Sequence, residues 1–164
     1  VQARLFKSGV LCQITGWVYN PLPANTLTTN TVGNCGSGSY NSHGFVRYWT
    51  GTEYGDFLTF PTDPLDFTAP ALLTAESSPH VDVTTNSQGQ TVGSGEDART
   101  EGEQPDLIAA YGSAGETGYV KKTDLAAGSA TNPAAASATS DPAPRTVPLY
   151  AADGTTTVGS FTIQ

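Results

Sequence analysis

The chain contains no methionine, two cysteines and two histidines in 164 residues, and charged residues make up only 13% of it. Each shortage excludes something. An average soluble domain is about 25% charged. The few cations, Arg4, Lys7, Arg47, Arg99, Lys121, Lys122 and Arg145, form no cluster beyond one adjacent pair, and the net charge is −8. Nucleic-acid binding needs a basic face that displaces counterions, and anionic membranes attract polybasic segments. Neither partner is expected. No apolar run approaches the about 20 residues needed to span a bilayer, so no membrane insertion is expected. The missing Met includes the initiator, as expected of a chain that is processed, trimmed or begun inside its gene. The absence of a charged-then-apolar leader is what signal-peptide removal leaves behind.

The cysteines, Cys12 and Cys35, stand alone and not in a C-x-x-C pair. A redox or zinc role is therefore not expected, and no metal or cofactor is. In an oxidising compartment such an isolated pair forms one disulfide, which would contribute about 3.4 kcal/mol by restricting the unfolded chain. In a reducing one the same residues remain two unrelated thiols.

Thr, Gly, Ser, Ala and Pro fill the space that charge leaves, with Gly 18 and Pro 11. These residues favour strands, turns and loops over helices. The length suits one ordinary domain or two very small ones. The expected fold is mainly β, with antiparallel hairpins forming small sandwich- or barrel-like units, little helix and one disulfide. The composition also resembles that of secreted proteins from GC-rich Gram-positive bacteria such as actinomycetes.

Along the chain, Val10, Cys12, Ile14 and Val18 alternate with Gln13 and Thr15, predicting a half-buried strand over 10–19 with Cys12 inward. Pro21 and Pro23 end it. Residues 36–44 read as flexible turn material. Phe45 to Trp49 reads as an aromatic strand, residues 50–55 as a hairpin connection, and Asp56 to Phe60 as the returning strand. An N-terminal aromatic-rich unit thus covers residues 1–70, broken off at Pro70. Residues 71–104 read as a polar, acidic, exposed connection with short strands at Val81–Val83 and Thr91–Val92. A C-terminal β module then covers 105–164, and the two halves are free to share one core. In it, Asp106 to Tyr111 and Tyr119–Val120 pair across a turn. Asn132 and Pro133 suit the cap and first position of a short Ala-rich helix, with a flexible linker as the alternative reading of 131–138, and Asp153-Gly154 turns the last hairpin. Val158 is out of phase with Phe161 and Ile163, which predicts a bulge at Gly159.

Two C-terminal motifs carry a resemblance. They are Gly118-Tyr-Val-x-x-x-Asp124-Leu125 and Pro148-Leu149-Tyr150-x-x-Asp153-Gly154-x-Thr156-x-x-Gly159-x-Phe161. Together they resemble the tail of uncharacterised secreted or envelope-associated proteins of Gram-positive bacteria. The first is also similar to the closing strand of bacterial SH3-type wall-binding domains, with Asp124-Leu125 where those usually carry Tyr-Leu. The resemblance implies a chain secreted or attached to the cell envelope, with extracellular protein or cell-wall material as its partner. Tyr119, Val120 and Leu125 are expected in the core of such a module.

Catalytic chemistry finds little support. His43 and His80 lie in turn-like sequence and read as solvated loop histidines. Ser39, Ser42 and Ser94 stand in Gly-rich stretches, yet no G-x-S-x-G elbow exists. Glu96, Asp97, Glu101 and Glu103 read as a solubilising acidic loop, without the spacing of an EF-hand. Function is expected in the aromatic N-terminal unit, where Arg47, Tyr48, Trp49 and Tyr54 are candidate binding residues because Arg and aromatics concentrate at interface hot spots. The expected role is non-enzymatic binding. A secreted peptidase inhibitor, presenting residues 20–34 as a loop pinned by the disulfide, is the alternative. A small extracellular hydrolase is a third reading, and it requires His43 or His80 within reach of an acid or a serine.

Overall fold

Ser8 and Gly9 make the first reversal of the chain. Both have positive φ, 50° and 80°, the two-residue geometry whose twist matches that of paired strands. They join β1 (Gln2–Lys7) to β2 (Val10–Ile14). The computed structural model describes residues 1–20, 24–33, 35–69, 81–138 and 142–164. The predicted stops at Pro21, Pro23 and Pro70, and His80, lie outside the described residues.

The twelve-residue strand β3 (Gly38–Trp49) pairs antiparallel with β1. It returns as β4 (Tyr54–Leu58), and β5 (Leu65–Phe67) pairs with its first residues. A small hairpin of β6 (Thr84–Thr85) and β7 (Thr91–Gly93) follows. Then come a 3-10 turn at Glu101–Glu103, β8 (Leu107–Tyr111), β9 (Thr117–Lys121), and the helices α1 (Lys122–Ala126) and α2 (Pro133–Ala138). The closing hairpin is β10 (Arg145–Tyr150) and β11 (Thr157–Ile163).

The sheet runs β11-β10-β9-β8-β2-β1-β3-β4. It is mainly antiparallel, with two parallel joints, β2 to β8 and β7 to β8. Its C-terminal end curls back on itself. The Gln164 N–H donates to the Ile14 carbonyl, and the Gly16 N–H donates to the Gln164 carbonyl, so β11 meets the end of β2 and encloses a core. That core joins Phe6, Leu11 and Ile14 to Ile108, Val120, Leu125, Val147, Leu149, Phe161 and Ile163. Strand pairing and apolar packing both bridge the N-terminal and C-terminal segments, through Leu11 opposite Ala110 and through this cluster. Cys12 and Cys35 form the disulfide.

Several local expectations are corrected. β2 stops at Ile14 rather than Tyr19, and it is covered on both faces: Leu11 and Gln13 are buried along with Val10 and Ile14, while Cys12 is only half-buried. Residues 38–44, read as turn material, are strand because β1 and β5 supply ladder partners on either side. Gly44 is needed there, since a Cβ on it would stand 1.8 Å from the Gln2 carbonyl oxygen. The strand expected at Val81–Val83 forms instead at Thr84–Thr85. After β9 the chain enters α1, which presses Leu125 into the core. α2 forms as expected, with the Ala135 N–H donating to the Asn132 side chain. The bulge falls at Val158, next to the expected Gly159: Leu149 faces Gly159 and Tyr150 faces Thr157, leaving Val158 unopposed and exposed.

Candidate interaction face

β3 sorts its side chains by alternation. Odd positions from Asn41 to Trp49 face inward, with His43 and Phe45 buried, while Tyr40, Val46 and Tyr48 face outward. The inner face is closed by the acidic segment 94–104, which lies across the sheet rather than in solvent. Ser94 donates its hydroxyl to the Gly9 carbonyl, and the Asn41 amide bonds the Glu96 carboxylate. The Leu58 N–H donates to the Arg99 carbonyl, and the Glu101 N–H donates to Asp56.

The strap is anchored at Glu101. Its carboxylate accepts from Arg47 at 2.5 Å and from the Trp17 indole N–H at 3.1 Å. The Arg47 guanidinium lies 3.9 Å from the Trp17 ring centroid and 5.8 Å from that of Tyr54. It also donates to the Tyr19 hydroxyl. Tyr54 in turn meets Tyr19 and Trp49. A desolvated ion pair is costly unless its groups find partners; Arg47 has Glu101, Tyr19 and two rings, while its buried Nε is left without a hydrogen bond. Its side chain is 9% exposed.

His43 sits deeper. It stacks on Phe6 with centroids 4.7 Å apart and meets Phe45 edge-on. It is a buried strand residue, so its reading as a solvated loop histidine is corrected. Neither ring nitrogen has a hydrogen-bond partner. Burial first, and then the Arg4 charge, push its pKa down to about 4, against a weaker upward pull from the Glu96 backbone and Asp97. Arg4 is itself buried; its guanidinium donates two hydrogen bonds to the Gln2 side-chain oxygen and covers the Phe45 ring at 4.2 Å, and burial lowers its pKa to about 9. No serine or carboxylate is hydrogen-bonded to His43. Ser42 instead donates to the Arg4 carbonyl, and Ser39 lies in the ladder opposite Asp66.

The outer face is different in kind. Val46 pairs with Phe57 across β3 and β4, and Tyr48 stacks on Phe57 with centroids 5.4 Å apart and planes 11° from parallel. Tyr48 is 50% exposed and Phe57 55%. Along the same face of β3, Tyr40 opposes Leu65 and Gly38 opposes Phe67, both exposed. Exposed apolar side chains grouped in one patch mark interaction sites, where scattered ones do not. The chain from Tyr48 to Ala69, which builds this patch and its edge, carries no Lys or Arg; of its acidic residues, Asp56 and Asp66 pair with inward positions of β3, and Glu53 and Asp63 lie in the connections.

Of the candidate residues, Arg47, Trp49 and Tyr54 therefore come together on the inner face, where Arg47 holds the strap and the two rings pack on each other, and Tyr48 stands on the outer one. Val46, Phe57, Leu65 and Phe67 join Tyr48 there. Alternation about Tyr48 marks Val46 in the sequence. Nothing local marks Leu65 and Phe67, whose pairing with β3 crosses about 25 residues of chain. Among the described residues, no group of three His, Cys, Asp or Glu side chains is placed to hold a metal ion, and no helix is long and apolar enough to cross a membrane.

Fold and face together define a mainly β, disulfide-stapled protein with one apolar sheet surface left uncovered by its own described residues. No protein-family model, curated protein or solved structure matches the chain.

Proposed function

We propose that the chain is an extracellular, non-enzymatic binding protein that docks another protein on the outer face of β3, β4 and β5. The observation that carries this is the exposure of Val46, Tyr48 and Phe57, which meet across β3 and β4, with Leu65 and Phe67 exposed further along the same face of β3. Strand-mounted aromatics lose little side-chain entropy when covered, which is why they serve as interface anchors. Glu53 and Asp63 in the connections, with no Lys or Arg between Tyr48 and Ala69, favour a partner that brings Lys or Arg to the edge of its apolar centre. The disulfide supports an oxidising, extracellular setting, and the resemblance of the C-terminal motifs to secreted or envelope-associated proteins points the same way.

The test is capture from culture supernatant and from purified cell wall, with the native chain and a Tyr48→Ser/Phe57→Ser double variant as baits. A protein retained by the native chain and lost by the variant supports the proposal. Retention of wall polymer alone assigns the face to cell-wall material, and equal capture by both baits removes the face from function.

A second reading has its own observation. Residues 24–33 run without helix or strand and are largely exposed. The far end of this segment is tied down, because the Gln13 side chain accepts from the Val32 and Gly33 N–H groups and Cys35 is bridged to Cys12. An extended, tethered loop is what a secreted peptidase inhibitor presents. Inhibition of secreted peptidases that disappears on reduction of the disulfide would favour it, and full activity of every peptidase tried at saturating chain would exclude it.

A further inference from the structure

The outer face of β3 is unevenly filled. Between Tyr40 and Val46 its outward positions are Ser42 and Gly44, and Ala3 of β1 stands opposite Gly44. A groove of about 350 Å³ opens at these three small residues, between the Tyr48–Phe57 stack and the Tyr40–Leu65 pair on the same strand. That volume is within the range of ligand sites. Its walls come from residues 27–29 and from Thr59, Phe60 and Thr62. The second wall is bonded to β3 at two points. The Thr59 N–H donates to the Gly44 carbonyl and the Gly44 N–H to the Thr59 hydroxyl, both at 2.8 Å. The Thr62 N–H donates to the Ser42 carbonyl and the Ser42 N–H to the Thr62 hydroxyl, both at 2.9 Å. Between these points Pro61 stiffens the chain and keeps Phe60 extended. Phe60 is thereby held at the lip of the groove, 99% exposed.

These bonds select the mode of recognition. Thr59 and Thr62 use the N–H and C=O groups of Ser42 and Gly44, so this edge keeps no ladder positions for an added strand. Strand addition is one way to hold a partner segment; here a partner gains by inserting a side chain. Charge selects the side chain. No Lys, Arg, Asp or Glu lines the groove, residues 24–33 carry no charge, and Asp63 follows directly on the Thr62 wall. Resting on the docking reading of this face, we infer that the groove is the socket for one aromatic side chain of the protein partner, with Lys or Arg beside it in the partner's sequence. The inserted ring packs against Leu27 and Phe60, where edge-on and offset contacts between rings are favourable. The neighbouring cation meets Asp63, and oppositely charged rims of this kind set which partner docks. The bonded, Pro-stiffened wall has little backbone freedom left to lose when it is covered.

The experiment is an amide-resolved NMR titration of the whole chain with acetyl-Lys-Phe-Lys-amide, acetyl-Lys-Ala-Lys-amide, acetyl-Glu-Phe-Glu-amide and a soluble N-acetylglucosamine trimer. The Lys-Phe-Lys peptide is expected to shift the amides of Ala3, Leu27, Thr29 and Gly44 saturably, at least about tenfold more tightly than Lys-Ala-Lys, as for burial of a ring. Glu-Phe-Glu is expected to bind about twofold to fivefold more weakly, and Asp63→Lys to reverse the order of the two charged peptides. Phe60→Ser is expected to weaken Lys-Phe-Lys about threefold to tenfold, and Ala3→Leu, which raises a side chain from the floor, to abolish its binding. Should Ala3→Leu fail to fold, Phe60→Ser and Asp63→Lys, both at exposed positions, decide the matter. The inference is overturned if no peptide saturates, if Lys-Ala-Lys matches Lys-Phe-Lys, or if both exposed variants leave the affinities unchanged. It is also overturned if the sugar trimer moves the same amides at lower concentration, which assigns the groove to a glycan, or if dilution of the chain alone moves them, which assigns it to a second copy. The same variants used as baits separate this result from the wider one. A protein lost by Tyr48→Ser/Phe57→Ser but kept by Ala3→Leu and Phe60→Ser leaves the face standing and removes the groove; capture indifferent to all of them removes the face and the groove with it.

Discussion

His43→Phe is expected to flatten the acid side of the stability curve. The folded protein holds the ring neutral, with a pKa near 4, whereas the unfolded chain takes up the proton near 6.5. Between those values the unfolded state binds more protons, so stability falls as the pH drops. The contribution is complete above about pH 6.5, declines towards pH 4 and is constant below. At 1.36 kcal/mol per unit, the displacement corresponds to about 3.4 kcal/mol. Relaxation of the surroundings around a charged ring offsets part of the burial penalty, which sets the expected effect at about 2 kcal/mol. Phe preserves the stack on Phe6 and removes two buried nitrogens that have no partner, so the variant is expected to be at least as stable as the native chain at pH 7.5. Urea unfolding followed by tryptophan fluorescence at pH 7.5, 6.0, 5.0 and 4.0 measures the difference between the two proteins. Every other ionisable group is common to the two proteins and drops out of the difference. A native-minus-variant difference that changes by less than about 0.5 kcal/mol over this range would refute the argument, because a surface histidine behaves that way.

Four further outcomes rest on the same packing. A Cys12→Ala/Cys35→Ala variant, which opens a link of sequence separation 23, is expected to lose about 3.4 kcal/mol in denaturant titrations, and unaltered stability would mean that the bridge constrains nothing. Glu101→Gln leaves the Arg47 guanidinium buried without its counter-charge. It is expected to cost about 2–3 kcal/mol and to speed limited proteolysis within residues 94–104, and unchanged proteolysis would show that the strap is held elsewhere. Leu149→Ala removes a side chain that is 0% exposed at the centre of the core and is expected to cost about 2–5 kcal/mol by urea unfolding. The double variant Tyr48→Ser/Phe57→Ser is expected to stay within about 1 kcal/mol of the native chain, because its side chains already face water.

What the sequence determined by itself is local. Low charge, abundant Thr and Gly, and turn dipeptides were enough for a mainly β chain with little helix. Asn132 and Pro133 placed α2, and Asp153-Gly154 placed the last hairpin. A lone cysteine pair predicted the disulfide. These features act within a few residues of themselves, through φ preference, capping and chain entropy, so the residues carry the information directly.

Tertiary structure decided what depends on distant partners. β1 is invisible to a search for alternating hydrophobics because its buried face carries Gln2 and Arg4 beside Phe6; those polar side chains are tolerated only because they bond each other and cover Phe45. Residues 38–44 look like turn sequence, yet β1 on one side and β5 on the other supply their ladder. The acidic segment 94–104 has the composition of a solvated loop and becomes a strap because Arg47, Asn41 and Asp56 wait beneath it. The division of the candidate residues followed from that closure. Once the strap covers the odd positions of β3, Arg47 is enclosed with Trp49 and Tyr54 half-buried beside it, and the even face, with Tyr48, is left most open to a partner. Strand alternation fixes that two faces exist, but which one meets water depends on contacts made across more than 50 residues of chain.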